Sequence, residues 1–180
     1  HDKTIGILGL GSIGREIAKK AKAFSMNVLA MKREETSELF VDQLYKPHEL
    51  MELLPQCDFV VVSLPLTEET KGLLTLEQFR AMKSSAYFIN IARGEVLVEA
   101  DLITALQEGY IRGAGLDVFT QEPLPADSPL WDMSNVIITP HVAALSPYYL
   151  DRAVKLFADN LTRLIHDREM FNIVDKTKGY

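Results

Sequence analysis

At 180 residues the chain fits one ordinary domain and leaves little room for two, and its 47% hydrophobic and 24% charged residues, with 10 Gly and 8 Pro, exclude a disordered, collagenous or low-complexity chain. Nineteen Lys and Arg against 25 Asp and Glu give a net charge of −6, so the surface as a whole repels nucleic acid and anionic lipid, and any bound anion must be held by a local device. The single Cys57 excludes an internal disulfide and a zinc knuckle and fits a reducing, cytoplasmic setting, while the best apolar run, residues 59–66 with Ser63 and Pro65 inside it, falls far short of the ~18 residues of a membrane span.

The start, His1-Asp2-Lys3, is neither a signal peptide nor an initiator Met, and a strand comes at once, which reads as a fragment or a processed chain. Strands are predicted at 4–8, 27–31, 58–63, 86–91, 113–119 and 136–139, mostly short continuous apolar runs of the kind buried on both faces of a parallel sheet. Between them helices are predicted at 13–24, where Ile13, Ile17, Ala21 and Phe24 fall at helical spacing, at 47–54, at 75–82, and at 99–108, which Gly109 closes. This alternation predicts an α/β fold with a doubly wound parallel sheet. A last helix at 147–166 precedes a polar tail. Leu150, Val154, Phe157 and Leu161 recur on it at helical spacing and read as core packing, the alternative being a face left exposed by truncation. Cys57 reads as a small core residue, and Trp131 as a packing residue of its loop or a border of the substrate cleft.

In an open parallel sheet, ligands bind outside the carboxyl ends of the strands, where loops and helix N-termini converge. The residues directly after the successive strands are Gly9-Leu10-Gly11, then Lys32-Arg33, Leu64-Pro65-Leu66, Ala92-Arg93-Gly94, Asp117 with Glu122 close behind, and Pro140-His141. Gly9-Leu10-Gly11-Ser12-Ile13-Gly14 matches G-x-G-x-x-G, placed after a strand and at the start of a helix. The first glycine allows the tight turn, the second lets backbone N–H groups approach a pyrophosphate, and the third lets helix and strand pack closely. The helix dipole favours the anion. Residues 1–146 therefore read as a Rossmann-type NAD(P)-binding domain. About twenty residues on, where an acid usually holds the ribose of NAD, the chain reads Met31-Lys32-Arg33-Glu34. Lys32 and Arg33 would attract the extra phosphate of NADP, each pair worth up to ~4 kcal/mol at ~4 Å before desolvation, so NADP is preferred over NAD. In the alternative, both are solvated loop cations and Glu34 or Glu35 serves NAD.

Of the four histidines, His1 is terminal, His48 opens a helix and His166 lies near a helix end beside Asp167 and Arg168; each reads as a surface residue. His141 comes after Thr139-Pro140 at a strand's carboxyl end, on the same edge as the glycine turn. Reduction of a carbonyl by hydride needs a proton donor poised near neutral pH, and histidine titrates there. A carboxylate beside it would hold its tautomer and favour the acid form, and Glu122 is the candidate partner. Arg93, also at a strand end, offers a planar fork for a substrate carboxylate. Singly, the three read as a surface ion pair, a loop acid and a strand-end hydrogen bonder; their joint placement points to a site.

With these segments in view, the sequence resembles the D-isomer-specific 2-hydroxyacid dehydrogenases. The resemblance rests on the glycine turn, on Leu64-Pro65-Leu66-Thr67 with Thr70 and Gly72, on Asn90-Ile91-Ala92-Arg93-Gly94, on Leu116-Asp117-Val118-Phe119 with Glu122-Pro123, and on Thr139-Pro140-His141. It implies that Arg93 binds and polarises a 2-oxo acid, that His141 is the acid/base, that Glu122 orients His141, and that Asp117 hydrogen-bonds the nicotinamide carboxamide. Backbone around Ser12 and Ile13 would bind pyrophosphate, with Pro65, Thr70 and Ile91 lining the cofactor. Ser128-Pro129-Leu130-Trp131 and His141-Val142-Ala143-Ala144 look closest to the glyoxylate/hydroxypyruvate reductase branch, whose members often prefer NADP. Two positions depart from the pattern: Ser12, where many relatives have Arg, and Lys32, in place of the usual acid. In the family the nucleotide domain is inserted into a substrate domain, so the resemblance implies the cofactor half alone. Residues 147–180 would then join a substrate domain whose N-terminal segment is absent, and the chain would bind cofactor but turn over poorly. It also implies a homodimer, with no nucleic-acid or membrane partner and no metal. A rival reading is a non-catalytic dinucleotide sensor like the family's corepressor relatives. Another NAD enzyme, such as an adenosylhomocysteinase or an alanine dehydrogenase, is disfavoured by Glu122-Pro123 and Pro140-His141.

Overall fold

The structure, a computed structural model, describes residues 1–34 and 37–176. Its strands are β1 (Thr4–Leu8), β2 (Asn27–Met31), β3 (Gln43–Tyr45), β4 (Phe59–Val62), β5 (Tyr87–Asn90), β6 (Gly113–Leu116) and β7 (Val136–Ile138). They form one sheet in the order β3-β2-β1-β4-β5-β6-β7, with each neighbouring pair parallel. The chain winds outward from β1 to β3 and then crosses back to β4, so the winding direction reverses between β1 and β4. In a doubly wound sheet that reversal opens a crevice at the carboxyl ends of the strands.

Helices α1 (Ser12–Ala23), α2 (Leu50–Leu53), α3 (Leu76–Ala81), α4 (Glu99–Gln107) and α5 (Tyr149–Ile165) complete the elements. Two compact units divide the chain: His1–Pro140, which holds the sheet, and His141–Tyr180, which holds α5. In the first, successive strand residues alternate between two cores because side chains on a strand point to opposite faces. Ile5 and Ile7 of β1, Val28 and Ala30 of β2, and Val61 of β4 pack with Ala18 and Ala21 of α1. Leu8, Leu29, Met31, Val60 and Val62 pack on the other face with Phe79 of α3 and Leu102 of α4. There Phe79 and Phe88 meet edge to face, with ring centroids 5.2 Å apart. Cys57 is buried against β1 as expected, and a Cβ at Gly6 would meet its Sγ at 2.5 Å.

Three elements differ from the sequence reading. The 113–119 strand leaves the ladder after Leu116, where the Asp117 amide donates to the Asn90 carbonyl at 3.0 Å and the chain turns away. The 47–54 helix is a 3₁₀ turn (Pro47–Glu49), the short α2 and a second 3₁₀ turn (Leu54–Gln56). Pro55 has no N–H to continue an α-helix and its ring crowds the preceding turn. The short edge strand β3 was not expected, since three residues carry no readable periodicity.

In the second unit, α5 is tied to the segment after it. Asn160 exchanges hydrogen bonds with the Phe171 backbone at 2.9 and 2.8 Å, and the Arg163 guanidinium lies 3.8 Å from the Phe171 ring centroid. Leu150, Val154, Phe157 and Leu161 are 47–72% exposed, so the core-packing reading of this stripe is corrected. Periodicity shows that a helix face is apolar, but what covers it is set by neighbours outside the helix.

Candidate functional site

The glycine turn joins β1 to α1 as expected. Gly9 has φ +97°, in the region where side chains are strained, and its Cβ would strike the Ser63 carbonyl at 2.9 Å. A Cβ at Gly14 would meet the Gly9 carbonyl at 2.2 Å, so the start of the helix sits directly on the turn. The Ser63 hydroxyl donates to that same carbonyl at 2.7 Å, locking β4 to the turn. Gly11 differs, because among the described residues a Cβ there would meet nothing within 4 Å. That open space lies beside the first N–H groups of α1, whose first turn carries no acidic residue. The leading amides of a helix have no partners within it, and the dipole adds positive potential. The cradle fits a pyrophosphate, with Ser12 and Ile13 exposed beside it.

Beyond β4, the Pro65 loop is self-bonded. The Thr70 hydroxyl donates to the Pro65 carbonyl at 2.7 Å and accepts from the Thr67 amide at 2.8 Å, so Thr70 shapes this loop. Beyond β5, the fully buried Asn90 organises the turn that carries Arg93. Its Nδ2 donates to the Arg93 carbonyl at 3.0 Å and its Oδ1 accepts from the Ala92 amide at 3.0 Å. Ile91 is half-buried beside it, and the Arg93 side chain is exposed, with Nη1 donating to the Ala92 carbonyl at 2.6 Å.

The segment after β6 packs against this turn. A Cβ on the buried Gly94 would sit 1.9 Å from the carbonyl carbon of Phe119. Glu122 Oε1 accepts from the Phe119 amide at 3.0 Å, so the carboxylate is placed by the same backbone that Gly94 touches. Asp117 is 4% exposed and its Oδ1 accepts from the Thr139 hydroxyl at 2.5 Å, tying the end of β6 to the end of β7. His141 opens the second unit with φ +54°, a left-handed conformation uncommon for a residue with a side chain.

At the end of β2 the structure adds two residues that sequence reasoning missed. The Gly9 amide donates to the Met31 carbonyl at 3.2 Å, so Lys32 stands beside the glycine turn. Lys32 Nζ lies 2.5 Å from Glu38 Oε1, and Arg15, in the first turn of α1, grips the same carboxylate from Nε and Nη2 at 2.9 and 2.8 Å. Arg33 turns to Glu69 at 3.1 Å. Glu34 is exposed, and Glu35 lies outside the described residues. Arg15 was findable, since it comes directly after the last glycine of the motif; Glu38, in an aperiodic loop, carried no signal.

Hydrogen bonds from Arg15 and then Lys32 hold the Glu38 carboxyl down at about 2. A carboxyl with a lower folded than unfolded pKa stabilises the fold above its unfolded value and loses that contribution as pH falls through the folded one. Stability should therefore drop between the ordinary 4.5 and about 2. Glu38→Gln is expected to flatten that part of the acid limb when unfolding is followed by circular dichroism; an unchanged limb would show that the ion pairs contribute nothing.

The family model of the D-isomer specific 2-hydroxyacid dehydrogenase, NAD binding domain, matches residues 1–143. A glyoxylate reductase of Korarchaeum cryptofilum is 44% identical over 165 residues, 89% of this chain and 48% of that protein. Two solved structures superpose closely. One is a D-isomer specific 2-hydroxyacid dehydrogenase from Xanthobacter autotrophicus Py2 in complex with NADPH and MES (TM-score 0.92, 38% identity, 99% of this chain, 73% of that one). The other is an NADPH-dependent glyoxylate/hydroxypyruvate reductase from Sinorhizobium meliloti in complex with NADP and sulfate (TM-score 0.93, 35% identity, 99% of this chain, 57% of that one). The chain spans about half the length of the relatives it matches in sequence. With a seven-stranded parallel sheet, the glycine cradle at its switch point and this match over residues 1–143, the chain belongs to the D-isomer specific 2-hydroxyacid dehydrogenases and carries their NAD-binding domain.

Proposed function

We propose that the chain is the cofactor-binding portion of an NADP-preferring reductase of small 2-oxo acids of the glyoxylate or hydroxypyruvate type. The observation that carries this reading is the gathering of the glycine cradle, Lys32, Arg93, Glu122 and Asp117 at the carboxyl ends of neighbouring parallel strands. The NADPH and NADP held by the two structural relatives support the choice of dinucleotide.

Residues Gly9, Gly11, Ser12, Ile13 and Gly14 hold the pyrophosphate, and Lys32 with Arg33 takes the extra phosphate on the adenosine ribose. Pro65, Thr70 and Ile91 line the cofactor, and Asp117 meets the carboxamide. The bound nicotinamide supplies the hydride that reduces the carbonyl carbon. Arg93 pairs with the substrate carboxylate and draws charge from the carbonyl oxygen. His141 delivers a proton to that oxygen, and Glu122 keeps its ring in the donating orientation. A single buried free thiol agrees with a cytoplasmic setting, and the homodimer is carried over from the family resemblance. Among the described residues no helix is long and apolar enough to cross a membrane.

Fluorescence titration of the chain with NADPH and NADH tests the cofactor assignment. NADPH is expected to bind roughly tenfold tighter, the worth of one charge-assisted hydrogen bond, and Lys32→Asp should reverse the order. Wild-type chain that binds NADPH no tighter than NADH would overturn the assignment.

A further inference from the structure

The group assigned to the ribose phosphate already has an anion beside it. Lys32, 16% exposed in its side chain, and Arg15 converge on one carboxylate that is itself only 8% exposed. These two cations come from the two elements that flank the ribose end of a dinucleotide site: the first turn of α1, just past the glycine cradle, and the residue after β2. We propose that Glu38 is a cofactor-discriminating residue, an internal anion that occupies the Arg15–Lys32 site and must be displaced by the 2′-phosphate of NADP. This inference rests on the assignment of Lys32 to that phosphate and extends it to Arg15 and Glu38.

The chemistry follows from charge. A phosphate monoester brings ~1.5–2 negative charges and three acceptor oxygens, against one charge and two oxygens for the carboxylate, so it competes for both cations. The two anions cannot share the site, since like charges at hydrogen-bonding distance repel and the same donors cannot serve both. A cofactor with a free 2′-hydroxyl makes no such demand and leaves the carboxylate on its partners. Glu38 therefore penalises NADP and leaves NAD untouched. The Glu38 carboxyl is held ionised by Arg15 and Lys32 down to about 2, so the competing charge is present throughout the physiological range.

Adenosine 2′,5′-bisphosphate and adenosine 5′-monophosphate differ only at the 2′ position and probe this site without the nicotinamide. In the full chain, Glu38→Gln is expected to tighten the bisphosphate by roughly tenfold or more, one charge-assisted hydrogen bond, while the monophosphate shifts less than about twofold on the same scale. A general loosening of the loop would move both ligands together, so an unchanged ratio of the two affinities overturns the proposal, as does a loss of bisphosphate affinity. Glu38→Asp, which retains the charge, should stay near wild type. Lys32→Met separates the two readings. If Lys32→Met weakens the bisphosphate but Glu38→Gln leaves the ratio alone, Lys32 holds the phosphate and the role of Glu38 falls. If Glu38→Gln tightens the bisphosphate and adding Lys32→Met does not reverse the gain, Glu38 guards an anion site on Arg15 and the assignment of Lys32 falls.

Discussion

Gly94→Ala is expected to destabilise the chain by about 3 kcal/mol, at the upper end of overpacking penalties, and to lower its Tm by roughly 6–12 °C for a chain of this size. The added methyl would sit 1.9 Å from the Phe119 carbonyl carbon, 2.1 Å from its oxygen and 2.3 Å from the Thr120 nitrogen. All three are backbone atoms, so no rotamer change relieves the contact. The Phe119–Thr120 backbone must move, and with it Glu122, whose carboxylate is held by the Phe119 amide. Thr120 is tied in turn to Glu99 at the start of α4, its amide donating to Oε2 at 3.2 Å. One methyl therefore disturbs the Arg93 turn, the Glu122 loop and the start of a helix. Gly11→Ala is the control: its Cβ enters open space, and the change at a helix N-cap costs about 1 kcal/mol or less. Differential scanning calorimetry reads both, and equal Tm values for the two variants would refute the packing argument.

In a full-length protein that carries this domain, the proposed proton-donor role of His141 predicts that His141→Gln slows reduction of glyoxylate by about 10²–10⁴-fold, the range for loss of a positioned general acid. Glutamine keeps a hydrogen-bonding side chain but cannot deliver a proton at neutral pH. Its effect belongs on turnover, because in the proposed roles His141 serves the carbonyl oxygen while the glycine cradle and the end of β2 serve the cofactor. The Kd for NADPH should stay within about twofold, well under one hydrogen bond's worth. A left-handed backbone at His141 adds a second consequence: asparagine tolerates that conformation better than glutamine, so His141→Asn should be the more stable variant while being equally slow. Rates within tenfold of wild type would remove His141 from the proton-transfer role.

How much of this was readable beforehand depends on the range over which each feature is determined. The limits of β1 and β2 were legible because short runs made mostly of apolar residues, with a polar residue at the start and glycine or cations after the end, leave little choice of register. The glycine turn was legible because its chemistry is local: Gly9 and Gly14 each answer a backbone contact with the adjoining strand or within the turn, and Gly11 leaves open space beside it. Arg93 was recognisable at a strand end, but not that the buried Asn90 holds its turn from both sides. Lys32 was recognisable as a cation where an acid is usual. Its partnership with a carboxylate six residues on, and with Arg15 from another element, was not. Charges in aperiodic loops show no pattern, and which of them meet depends on chain segments folded together from a distance.

By itself, the amino-acid sequence determined the α/β class, the dinucleotide cradle, the family and which polar side chains follow the strands. These depend on hydrophobic period, glycine placement and short motifs, all set by interactions within a few residues. Only the tertiary structure decided that Glu38 joins Arg15 and Lys32, that Gly94 makes the Arg93 turn and the Glu122 loop one packed unit, and that the apolar stripe of α5 is exposed. Those outcomes depend on ion pairing, close packing and burial between segments far apart in the chain, where the energy of a side chain is set by its neighbours in space.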